Sequence, residues 1–235
     1  MGKIAALIPA AGQGKRMGSQ LNKQFLSLAG LPILLHTLQI FQTCERISEI
    51  VIVGGTDEVD YIRTEIVDKY QLTKVVQVVA GGAERQHSVH NGLRALSADV
   101  EYVAIHDGAR PLLSQEHLAQ VLAAALENQA AIVAVPVKDT IKIVDKSQMV
   151  QQTPDRTTLW SIQTPQVFSK ELVSRAYAEA EAVNYVGTDD ASLVERLGWP
   201  IKVIMGSYEN IKITTPEDLE VAESILRRRK QCVLA

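Results

Sequence analysis

The 235 residues contain two cysteines, Cys44 and Cys232. That is too few for a disulfide framework or a zinc cage, and it fits a reducing, cytoplasmic setting. Excess positive charge is also missing. The formal net charge is −3, so no global basic field draws nucleic acid or membrane, and an anion site has to be a local cluster. No stretch reaches the roughly 18 apolar residues of a membrane span. The opening run "MGKIAALIPAAG" is too short for a signal-peptide core and leads straight into a glycine loop. Repeats, linkers and low-complexity segments are absent as well. With 46% hydrophobic and 22% charged residues, the composition is that of an ordinary soluble domain. The ending "RRRKQCVLA" fits both a prenylation box and a helix end whose basic residues complement the macrodipole. The second, plainer reading is the one expected.

What is present is a regular alternation. "KIAALI", "EIVIVGG", "KVVQVVAGG", "YVAIHDGARP" and "AAIVAVPV" are β-branched runs separated by helical patterns such as "ILLHTLQIFQTC", "DEVDYIRTEIVDKY", "RQHSVHNGLRAL" and "SQEHLAQVLAAALE". This order predicts an α/β fold, doubly wound around a mostly parallel sheet. Such sheets bind ligands beyond the carboxyl ends of their strands. The rhythm breaks between Val137 and Phe168, where "VKDTIKIV", "MVQQTP" and "TLWSIQTPQVF" follow one another without a long helix. That predicts an antiparallel β-arm at about 137–168, projecting from a single domain of residues 1–235. Exposed strands need covering, so the arm predicts a homodimer. The alternation then resumes through the helices "KELVSRAYAEAEAV" and "DDASLVERLG", the strands "PIKVIMG" and "NIKITT", and a closing helix from Pro216.

The first loop, "IPAAGQGKRMG", raises a choice of chemistry. Gly12, Gly14 and Gly18 nearly spell a dinucleotide fingerprint. That fold needs a helix directly after the glycines and an acidic residue about 20 positions on. Here "SQLNKQFLSLAGLP" follows, with Gly30 and Pro32 inside it, and Asp57 lies too far along. A dehydrogenase is therefore disfavoured. The other reading uses Lys15, Arg16 and Lys23, three cations within nine residues. Glycines let backbone N–H groups approach phosphate oxygens, so this loop suits a polyanion, although Lys15 also fits an exposed surface.

"PAAGQGKRMG" with "NKQF" resembles the signature of sugar-phosphate nucleotidyltransferases. "GGAERQHSV", "HDGARP", "PVKDTIK", "IQTPQVF", "TDDAS" and "ENIKIT" follow in order. Together they resemble the 2-C-methyl-D-erythritol 4-phosphate cytidylyltransferase family over nearly the whole chain. The resemblance implies that CTP and methylerythritol phosphate give a CDP-alcohol and pyrophosphate, in isoprenoid precursor synthesis. Ribitol-5-phosphate cytidylyltransferases share most of these motifs; "PAAG" and "PDRTTLW" favour the isoprenoid enzyme. A non-catalytic nucleotide sensor is the alternative from another class, and it would have no use for transition-state cations. One departure is visible: Gly108 stands where "HDAARP" has an alanine.

The resemblance also implies residue roles. Arg16 and Lys23 meet the α-phosphate and the leaving pyrophosphate. Ala10, Ala11, Gly12, Gly14 and Lys15 line the nucleotide, with Gly82, Arg85 and Ser88 at its base and Asp107 and Gly108 near its ribose. Arg156 and Lys212 orient the sugar phosphate, and Asp107, Arg110, Thr140, Thr164 and Thr188 complete its site, the threonines as hydroxyl donors. Mg²⁺ or another divalent cation is expected, held mainly by the CTP phosphates with Asp107 as its one protein ligand. His87 and His90 lie three apart without a third ligand and suit a surface or packing role. Asp189 and Asp190 suit a helix cap.

Overall fold

The computed structural model describes residues 2–12 and 22–233. Its first strand, β1 (Lys3–Pro9), is buried from Ile4 to Ile8, as expected of a parallel strand covered on both faces. A small hairpin, β2 (Ser27–Leu28) and β3 (Leu31–Pro32), precedes α1 (Ile33–Thr43). Next come β4 (Ile47–Gly54) and a helical stretch in which α2 (Val59–Tyr61) runs on as π-helical turns over Ile62–Asp68. Then follow β5 (Val75–Ala80), α3 (Arg85–Arg94), β6 (Val100–Ile105), α4 (Gln115–Asn128) and β7 (Ala130–Pro136). The remainder comprises β8 (Ile143–Val144), β9 (Val150–Gln152), β10 (Trp160–Ser169), α5 (Lys170–Ala182), α6 (Asp190–Arg196), β11 (Lys202–Met205) and α7 (Pro216–Val233).

Among the described residues, seven strands form one sheet in the order β11-β7-β10-β6-β1-β4-β5. All pairs are parallel except those of β10, which lies antiparallel to both β6 and β7. Each face carries its own core. Leu34, Leu38, Phe41, Leu118 and Leu122 cover one; Val89, Leu93, Val173, Tyr177 and Leu193 cover the other. A third cluster, of Leu28, Ile33, Leu112, Ile213, Ala222 and Ile225, seats α7. No described helix is long and apolar enough to cross a membrane.

Two expectations change. "TLWSIQTPQVF" is not part of the projection; it runs into β10, in the middle of the sheet, which is buried from Gln163 to Phe168 and paired with both neighbours from Gln166 to Phe168. The projecting segment is therefore the shorter stretch between β7 and β10, with the β8–β9 hairpin at its end. "NIKITT" is not a strand. Its alternating isoleucines mimic one, but two of its backbone N–H groups close local turns (Asn210 to Ser207 O, Ile211 to Glu209 O) and one reaches a distant loop, from Ile213 N–H to Ala109 O at 2.9 Å, and Ile213 packs under α7.

The strand order reverses at β1. The chain steps outward through β4 and β5 on one side and begins again with β6 on the other. Loops leaving β1 and β6 must diverge there, opening the crevice in which α/β folds bind ligands. Three backbone bonds hold the rim: Gly108 N–H to Pro9 O (3.1 Å), Ala10 N–H to Val53 O (2.7 Å) and Gly81 N–H to Gly54 O (2.8 Å).

Candidate active site

A cavity of about 670 Å³ fills that crevice, within the roughly 300–1,000 Å³ usual for small-molecule sites. Ala10, Ala11, Gly12, Lys23, Gly82, Arg85, Ser88, Asp107, Gly108 and Lys212 line it, so ten residues predicted from separate motifs meet in one place. Gly81 makes the approach possible. A Cβ there would stand 2.8 Å from the Ala11 Cβ and 2.7 Å from Ser88 Oγ, so a larger residue would push the β1 and β5 loops apart. Ser88 is buried. Its hydroxyl donates to Glu84 O and accepts from Gly82 N–H, both at 3.1 Å, and so fixes the turn that presents Gly82. Gly14, Lys15 and Arg16 lie outside the described residues.

A second cavity of about 340 Å³ adjoins the first. Arg85, Asp107 and Lys212 border both; they form the partition. Arg110, Thr164 and Thr188 are on the second side only. Asp107 is the centre of the partition. Lys212 Nζ lies 2.8 Å and Arg110 Nε 3.7 Å from Oδ2, while Arg85 Nε donates to Oδ1 at 3.2 Å. Burial pushes the Asp107 carboxyl up, but Arg85 and Lys212 more than offset it and hold it well below the usual carboxylate range. It is therefore ionised at any working pH. Arg110 also donates from Nη1 to Asn210 O at 2.8 Å.

Thr164 is oriented by a chain of bonds. His106 Nε2 is 3.0 Å from Arg110 O; a carbonyl only accepts, so Nε2 carries the proton. Burial lowers the His106 pKa to about 4, so the ring is neutral and Nδ1 accepts. The Thr164 hydroxyl, 3.1 Å away, then donates to Nδ1 and accepts from Asp107 N–H at 3.1 Å. Its hydrogen is committed. Thr164 can accept from a ligand hydroxyl but cannot be the donor expected of it.

Thr140 and Arg156 line neither cavity of their own chain. Both are exposed on the projecting segment, where Arg156 Nη1 donates to Lys138 O at 2.7 Å. Asp189 does cap α6, accepting from Ser192 N–H at 2.9 Å. Asp190 does more than cap. It is fully buried and takes both Nη groups of Arg85, at 2.9 and 2.8 Å. Sequence reasoning missed Asp190, Asn210 and Gln166. The one signal for them was their position inside recognised motifs. Among the described residues no group of three or more His, Cys, Asp or Glu is arranged to hold a metal ion.

Residues 4–228 match the family described as "IspD: 2-C-methyl-D-erythritol 4-phosphate cytidylyltransferase". A curated relative of that name from Alkaliphilus metalliredigens (strain QYMF) is 50% identical over 228 residues, covering 97% of this chain and 95% of the relative. Another, from Geobacillus thermodenitrificans (strain NG80-2), is 51% identical over 224 residues, covering 95% and 97%. The crystal structure of a 4-diphosphocytidyl-2C-methyl-D-erythritol synthase from Anaerococcus prevotii DSM 20548 superimposes with a TM-score of 0.86 at 37% identity, covering 96% of each chain. The glycine loop, the Asp107 partition and the paired cavities thus sit in a chain that belongs to the 2-C-methyl-D-erythritol 4-phosphate cytidylyltransferase family.

Proposed function

We propose that this chain transfers the cytidylyl group of CTP to 2-C-methyl-D-erythritol 4-phosphate, in isoprenoid precursor synthesis. One observation carries the reading within the family: two cavities share a wall bearing Arg85, Lys212 and Asp107, with Arg110 behind it. The larger cavity takes the nucleotide and the smaller takes the sugar phosphate, so the reacting phosphates meet at that wall. A phosphate oxygen of the sugar attacks the α-phosphorus of CTP. The bond to the bridging oxygen breaks, and pyrophosphate leaves with the electron pair. A phosphate monoester has a second pKa near 6 and is mostly dianionic at pH 7, so no protein base is needed. Bringing two polyanions together is the difficulty, and positioning with fixed cations answers it. Lys23, on the wall of the nucleotide cavity, meets the charge of the leaving group together with Arg16. Lys212 and Arg110 receive the attacking phosphate. Thr188 lies at the sugar hydroxyls, and Thr164 accepts from one of them.

A divalent cation enters as part of the substrate, Mg·CTP. Among the described residues Asp107 is the one carboxylate bordering both cavities, yet its oxygens already face three cations. We therefore assign the ion chiefly to the triphosphate and route no step through it. Chelation with EDTA should abolish turnover, and excess Mg²⁺ should restore it.

The active unit is a homodimer joined through the segment between β7 and β10. Ile143, Val144, Met149 and Val150 are exposed there, an apolar surface that a twofold partner would cover. Arg156 and Thr140, remote from their own cavities, would then serve the partner's sugar-phosphate site. The low cysteine content, with Cys44 free and buried, supports a cytoplasmic setting.

Pyrophosphate release, measured for the four nucleoside triphosphates against methylerythritol and ribitol phosphates, tests the substrate assignment. CTP with methylerythritol phosphate should be fastest; faster turnover with ribitol 5-phosphate would reassign the enzyme. For the shared site, Lys23→Ala and Arg156→Ala homodimers should both be nearly dead. Refolded together, about half the dimers are mixed, each with one intact site, and activity should return to about a quarter of wild type. A mixture that stays dead while subunits exchange would return Arg156 to its own chain.

A further inference from the structure

Arg85 presents five N–H groups. One goes to Asp107 from Nε, at 3.2 Å, and one from each Nη goes to Asp190, at 2.9 and 2.8 Å. Asp190 lies at the start of α6 and is fully buried, and its carboxylate accepts a third bond, on the Oδ1 that takes Arg85 Nη1, from the hydroxyl of Tyr177 on α5. Tyr177 is itself about 1% exposed, and burial beside Asp190 pushes its phenol well above the ordinary range, so it remains a donor. A buried carboxylate without partners would be costly. This one is satisfied only with Arg85 in its observed place, at the partition between the two cavities. A helix cap does not account for the arrangement, because Asp189 already caps α6. Macrodipole pairing does not call for a bidentate grip on a side chain from α3 either.

We propose that Asp190, braced by Tyr177, is a positioning residue: it locks the Arg85 guanidinium in the partition, with the two N–H groups not given to Asp190 or Asp107 left for the reacting phosphates. The inference rests on the cytidylyl-transfer reading for what Arg85 touches, but the clamp is a statement about the protein alone. It explains why both halves of "TDDAS" are acidic: Asp189 holds the helix and Asp190 holds the arginine. It also makes Arg85 irreplaceable by lysine, which has no planar fork to match a carboxylate while still reaching Asp107.

Two readouts test it. In nitrogen-edited NMR of the free protein, the Arg85 Nε–H signal, identified by its loss in Arg85→Ala, should be sharp and slow to exchange in wild type. It should broaden or move in Asp190→Asn, whose amide would turn a donor toward a donor. This holds whatever the substrates are. In steady-state kinetics with CTP and methylerythritol phosphate, Asp190→Asn should lower kcat about 10- to 100-fold, with KM for CTP changed less than about threefold. Tyr177→Phe should do the same more weakly; it keeps the core volume and covers the case in which Asp190→Asn fails to fold. Arg85→Lys should be no better than Arg85→Ala. In the Arg85→Ala background, Asp190→Asn should have little further effect on kcat. An unchanged Arg85 signal in both variants overturns the clamp, and so do wild-type kinetics for both. A defect of full size in the Arg85→Ala background would make Asp190 structural. If wild type itself does not turn over these substrates, the substrate reading falls and the NMR result alone decides the clamp.

Discussion

Two buried carboxylates stand at opposite ends of the same sheet and are used differently. Glu49 lies near the amino end of β4 and is 1% exposed. It takes Ser97 N–H at 3.0 Å and Lys3 Nζ at 2.9 Å, and Lys3 is shared with Asp99 at 3.1 Å. The count is two negative groups and one positive. Asp107, at the carboxyl end of β6, faces Arg85, Lys212 and Arg110, and among the described residues Asp190 is the other acid in that network. The count there is three positive and two negative. The first network closes on itself and ties the β1, β4 and β6 edges together. The second holds one more cation than acid in its ion pairs, beside two cavities, where a bound anion can complete it. Burial of a charge alone does not mark a site; the sign left over does.

Changes at the carboxyl end should cost turnover, and the largest loss is expected from Lys23→Ala. A cation meeting charge that develops on the leaving group acts mainly in the transition state, at about 3 kcal/mol, or roughly 100-fold or more in kcat. KM for CTP should change less, and initial rates over a CTP range would check it. A wild-type kcat with a raised KM would move Lys23 to ground-state binding. A smaller effect is expected from acid. Below the substrate's second pKa near 6, log kcat/KM should fall with a slope of about one, because the attacking dianion gains a proton. His106, ordinarily near 6.5, is held at about 4 and stays neutral through that limb. A pH–rate profile whose limb lies at 4 would instead point to the protein. The smallest effect is expected from Gly108→Ala. An added Cβ would stand 3.1 Å from the Ala10 Cβ and 3.2 Å from Leu34 Cδ1, a squeeze of a few tenths of an ångström. KM for CTP should shift about two- to threefold at most, as a titration would reveal.

The parallel sheet was legible because doubly buried strands read as continuous apolar runs, β1 and β7 most clearly. The lining of the larger cavity was legible too, since loops leaving the carboxyl ends of parallel strands converge by topology. What stayed hidden depended on pairing across the sheet. β10 enters antiparallel between β6 and β7, and nothing in "TLWSIQTPQVF" separates a central strand from a projecting one. The alternating isoleucines of "NIKITT" suggested a strand, but Ile213 was filling the pocket under α7. The direction of the Thr164 proton follows from His106 and Arg110, 58 and 54 positions away, and no local pattern carries it. Asp190 looked like its neighbour Asp189 because a pair of acids before a helix is the usual signature of a cap.

The most direct test pairs one substitution from each end of the sheet and measures turnover and thermal unfolding for both. Lys212→Ala removes a cation from the partition, where it borders both cavities. It should lower kcat/KM for methylerythritol phosphate at least about 100-fold while the unfolding midpoint stays close to wild type. Glu49→Ala should behave in the opposite way. Its carboxyl is pushed up by burial, then held below its ordinary value by Ser97 and Lys3. Its contribution to stability is therefore present above that ordinary value and is lost as pH falls through the lowered one. At pH 7 the variant should lose about 2 kcal/mol, or roughly 5 °C in midpoint, with unchanged kcat and KM. If Lys212→Ala proves active and merely less stable, or Glu49→Ala stable and inactive, the surplus charge at Asp107 is not what the enzyme works with.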